Sequence, residues 1–133
     1  MDKLWVDVPK RKWSHAAGRP GTSGGRKQLH RSGGAAVYLP FEPGCRNSWH
    51  IHHAETGGGQ ILICTAGEGW YQEWGSDPVE LLPGEVIVIP QGVKHWHGAK
   101  KDSWFAHISL EVPGEKGATE WLEPVDEAAY NAL

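Results

Sequence analysis

The chain has 133 residues, 39% apolar and 22% charged, with a net charge of −3. That length suits a single domain, and its apolar runs, such as Val86–Pro90, are too short to form a membrane-spanning helix. Cys45 and Cys64 lack metal-type spacing, so neither a disulfide scaffold nor a cysteine metal site is expected, and a reducing, cytoplasmic location is.

The start, Met1 to Asp7, has no charged-then-apolar layout, so no secretory signal is expected. The net charge averages two unlike parts. Residues 1–35 carry eight Lys/Arg against Asp2 and Asp7, or +6; residues 36–133 carry five basic and fourteen acidic side chains, or −9. From Pro9 to Gly34 the chain is basic and rich in Gly and Ser, with too little apolar surface to offset its ordering entropy. We expect residues 1–35 to be a basic, Gly-rich arm, flexible over much of its length, with Leu4-Trp5-Val6 able to pair as a short strand or anchor on a surface. Its Gly-rich stretch lacks the Gly-Lys-Ser/Thr of a phosphate-binding loop. No helical or aromatic framework accompanies the charges, so nucleic acid is not an expected partner.

From Ala36 onward short apolar runs alternate with Gly- and Pro-containing turns. Predicted strands are Ala36–Phe41, Ser48–His53, Gln60–Ala66, Gly69–Trp74, Val79–Leu82, Glu85–Ile89, Lys94–His97 and Ser103–Val112. Many short strands with regular turns predict an all-β sandwich or barrel over residues 36–133. A short helix near Asp126–Ala132, with Asp126 as N-cap, closes the chain.

Strand residues two apart share a face, so His50 and His52 project together, and His95 and His97 do the same on a later strand. Two imidazoles on one strand and a third from another can enclose a divalent ion, whereas a lone His would read as an ordinary strand residue. His107 lies on a stripe with Phe105, Ser109 and Glu111, which either faces solvent or lines a site.

The spacing resembles the two motifs of the cupin superfamily. Gly44, five residues, His50-Ile-His52, then Gln60, six residues and Gly67 match the first. Gly84, five residues, Pro90-Gln-Gly92, two residues and His95 match the second, with Ala99 where an Asn often stands. The resemblance implies a cupin-type double-stranded β-helix, or jelly roll, with His50, His52, Gln60 and His95 as metal ligands. Glu55, in what reads as an inserted loop at Ala54–Gly59, is the alternative to Gln60. Finer patterns, including Trp49-His-Ile-His and Pro90-Gln-Gly-Val-Lys-His-Trp-His, look like small bacterial single-domain cupins that include manganese-dependent hydroxynitrile lyases. That resemblance implies His107 as the base with His97 close by, and cleavage of a cyanohydrin to a carbonyl and cyanide. It implies manganese, while ligand chemistry alone leaves Mn, Fe, Ni and Zn open. The competing readings are a metal-dependent oxygenase or isomerase on a small hydroxy or sugar acid, and a non-catalytic binding cupin.

Trp49 and Trp96 flank the proposed ligands and point away from them, so something must cover the outer face of their strands. A homodimer or higher homo-oligomer is the expected cover, with packing under Glu120-Trp121-Leu122 as the alternative.

Overall fold

Alternation of apolar and polar residues, and turns that demand positive φ, divide the chain into the strands that the computed structural model shows. It describes residues 36–133; the basic segment 1–35, with its expected arm and Leu4-Trp5-Val6 anchor, lies outside the described residues. The strands are β1 (Ala36–Phe41), β2 (His50–His53), β3 (Thr56–Gly57), β4 (Gln60–Gly67), β5 (Gly69–Glu73), β6 (Val79–Leu81), β7 (Val86–Ile89), β8 (His95–Ala99), β9 (Phe105–Glu111), β10 (Gly114–Glu115) and β11 (Ala118–Trp121), followed by helix α1 (Glu127–Asn131). The all-β expectation and the terminal helix both hold. Asp126 caps α1, its carboxylate accepting the Ala129 N–H at 2.8 Å.

Two antiparallel sheets face each other, in the orders β1-β9-β4-β7 and β11-β2-β8-β5-β6. They do not close into a continuous barrel among the described residues; the architecture is that of a jelly roll. Along β4, Leu62 and Cys64 point inward with Gln60, while Ile61 and Ile63 point outward. Between the sheets Leu62, Phe105, Tyr71 and Ile89 form the main core, joined by Phe41 and Leu81. Each such side chain contributes roughly 1.5–3 kcal/mol by leaving water. Cys64 packs there as a small apolar residue, as its neighbours suggested.

A close approach binds β4 to β9. Gly67 has φ 69°, and a Cβ there would sit 1.7 Å from the Trp104 carbonyl oxygen, so only glycine fits.

Three short elements differ from the sequence reading. Ala54–Gly59 is not simply an inserted loop, because Thr56–Gly57 pairs with Gly114–Glu115 as a two-stranded ribbon. Residues 118–121 add an edge strand beside β2. Trp49 and Trp96 form a second apolar cluster with Val125 and Tyr130, against which Leu122, Trp70 and Leu133 pack. The C-terminal segment therefore covers these tryptophans, and they make no demand for a second subunit. Tyr130 anchors that cover: its hydroxyl donates to the Ala99 carbonyl at 2.6 Å, and the Arg46 guanidinium lies 3.8 Å from its ring centre. On its other face, the first sheet shows two rows of apolar side chains, Val88–Ile61–Leu110 and Val86–Ile63–Ile108, aligned by strand register.

Candidate metal centre

Strand parity places His50 and His52 on the inner face of β2, and antiparallel pairing sets His95 of β8 directly opposite His50. The three rings converge, with centroids 4.2 Å apart for His50–His95, 5.1 Å for His50–His52 and 5.4 Å for His52–His95. One ring nitrogen of each lies within 4.8 Å of the others, a group that could hold a metal ion.

Outer contacts fix which nitrogens face inward. His50 Nδ1 donates to the Ser48 carbonyl and His95 Nδ1 to the Val93 carbonyl, both at 2.9 Å. A neutral imidazole has one proton, so Nε2 of each ring keeps its lone pair. His52 Nδ1 meets Thr119 Oγ1 on β11 at 3.1 Å, a partner that no spacing in the sequence signals. Such outer hydrogen bonds are how metal-binding imidazoles are held in tautomer and orientation.

Gln60 enters from the opposite sheet. Its Nε2 donates to Ser109 Oγ at 2.7 Å, which turns Oε1 toward His95 Nε2 at 3.4 Å. Burial pushes His95 down to about 4, so at neutral pH that nitrogen is unprotonated. Two lone-pair-bearing atoms then face each other in a buried space, an arrangement that an electrophile between them would satisfy. The donor chemistry thus fits a divalent transition metal. Glu55, the alternative to Gln60, is exposed just before β3 and ion-pairs with Lys116 at 2.7 Å, so its carboxylate is engaged outside this group.

His97 and His107 lie beside the three-histidine group, one on each sheet. Their ring centroids are 4.9 Å apart, and His97 is 5.8 Å from His50. His107 is 0% exposed, and with Phe105 and Ser109 it lines the interior, while Glu111 at the end of the stripe is exposed. Phe105 stacks on His107 at 4.6 Å, and Phe41 stands edge-on to it at 5.1 Å while lying parallel to His97 at 6.1 Å.

Asn47 is a further residue that sequence reasoning missed. Its Oδ1 accepts the His97 backbone N–H at 2.9 Å, which leaves Nδ2 to donate to His97 Nε2 at 3.0 Å. A neutral His97 therefore carries its proton on Nδ1. Only the fold brings Asn47 to β8, so its position three residues before His50 gave no signal. His53 faces outward, bonded to Glu120 at 2.6 Å.

The wider likenesses agree with this geometry. A family model described as "Cupin domain" matches residues 37–110. An (R)-mandelonitrile lyase from Granulicella tundricola is 38% identical over 96 residues, which cover 72% of this chain and 70% of that protein. The crystal structure of a cupin-like protein from Thermotoga maritima shares 42% identity and a TM-score of 0.65, over 74% of this chain and 71% of its own. A DMSP lyase from Ruegeria pomeroyi shares the fold at 24% identity and a TM-score of 0.59, over 73% of this chain and 47% of its own. Facing sheets, converging histidines and these likenesses lead to one conclusion: the chain belongs to the cupin family.

Proposed function

We propose that the protein is a metal-dependent lyase that cleaves a C–C bond next to a hydroxyl, converting a cyanohydrin into a carbonyl compound and cyanide. One observation carries this reading: two further buried imidazoles, His97 and His107, stand beside the His50–His52–His95 group. A purely structural metal site has no use for them. Likeness to a mandelonitrile lyase supports the choice of reaction.

His50, His52, His95 and Gln60 would hold the metal, with manganese preferred as the sequence resemblance implies. When bound, it supplies Lewis-acid polarisation of the substrate hydroxyl, and four neutral donors leave its charge undiminished. His107 accepts the hydroxyl proton. The O–H electron pair becomes the second C–O bond, and the C–CN bonding pair leaves with cyanide. The His107 imidazolium then returns the proton to cyanide, giving HCN and restoring the base. His97, fixed by Asn47 with its proton on Nδ1, keeps an N–H donor beside His107 and the reacting group. Phe41 and Phe105 wall the two imidazoles off from water and preserve their orientation.

The test is cyanide release from mandelonitrile by metal-loaded protein. We expect His107→Ala to lose about a hundredfold or more in turnover while keeping its metal. Equal cyanide release by wild type and His107→Ala would refute the assignment.

A further inference from the structure

The outer face of the first sheet holds an apolar surface that the site does not use. The rows Val88–Ile61–Leu110 and Val86–Ile63–Ile108 carry no charge, and at the β7 edge Val86 and Val88 are 52% and 67% exposed. Register extends the rows to Ala36 and Tyr38 on β1. β7 reads Val-Ile-Val-Ile and has no strand partner on its far side among the described residues. Edge strands of this kind are normally blunted by charge, proline or a cover.

We propose that this face is the docking site of the N-terminal segment of the same chain, with Leu4, Val6 and Val8 as its apolar contacts. Residue 35 leads directly into Ala36, which stands in the face itself. Crossing from β1 to β7 takes three strand spacings, about 14 Å, and the 27 residues from 9 to 35 span that many times over. Leu4, Val6 and Val8 alternate with Trp5 and Asp7, which gives one side of purely aliphatic residues at strand spacing. Size argues against a second copy: a stable dimer needs about 20–30 residues a side, and the face offers far fewer.

The experiment uses the full-length protein with Val88→Cys, its alkylation followed by mass spectrometry of the peptide containing position 88. We expect slow labelling, at least about tenfold faster once Leu4→Asp and Val6→Asp are added, and unchanged by dilution. Retained metal binding in the combined variant shows that the fold is intact. Labelling at the unfolded-chain rate in the parent, or protection that survives Leu4→Asp and Val6→Asp, would overturn the proposal. So would protection that disappears on dilution, since that would assign the face to a second copy.

Discussion

Among individual residues, Gln60 as the proposed fourth ligand would set the electrostatic character of the centre. An amide oxygen in place of a carboxylate leaves the three-imidazole set without a compensating negative charge. Gln60→Glu should therefore bind a divalent metal about tenfold or more tightly while turning over more slowly, as a carboxylate ligand weakens the Lewis acid. Calorimetric titration of the metal and cyanide-release kinetics on the same preparation check both halves. His95 makes a separate prediction for the metal-free protein. Burial holds it at about 4 in the folded chain, below the ordinary value near 6.5. The unfolded chain then takes up the proton first as pH falls. Stability is full above about pH 6.5 and declines by roughly 3 kcal/mol toward pH 4, a slope that urea unfolding across that range would reveal. His95→Gln should flatten it.

For the strands and the helix, the clearest lesson concerns the C-terminal cover. Trp49 and Trp96 project from the outer side of the histidine strands, and Tyr130 of a helix only five residues long closes over them. Tyr130→Ala should cost about 3–4 kcal/mol through lost packing, whereas Tyr130→Phe should cost about 1 kcal/mol, the value of its hydrogen bond to Ala99. Denaturant titration separates the two. Strands that alternate clearly were legible in the sequence: Gln60, Leu62 and Cys64 turn inward just as the period of two requires. Residues 118–121 were not, because Ala-Thr-Glu-Trp is exposed along its whole length and shows no alternation. Only pairing with β2 makes it a strand. The same limit applies to the site. His50, His52 and His95 were legible because metal-binding spacing is local to each strand. Thr119 and Asn47 were not, since their roles arise from contacts across 67 and 50 residues of sequence.

At the scale of the whole molecule, two facing sheets bring a neutral donor set and two further imidazoles into one buried region. The first sheet delivers Gln60 and His107; the second delivers His50, His52, His95 and His97. Gln60 and His107 therefore join the three histidines only when the sheets are packed together, and metal binding and folding should reinforce each other. The most direct measurement is metal content per chain by elemental analysis, made side by side on purified wild type and His95→Ala after equilibration with manganese. The account predicts close to one equivalent in the wild type and a loss of most of it in His95→Ala. Equal metal content in the two proteins would contradict it.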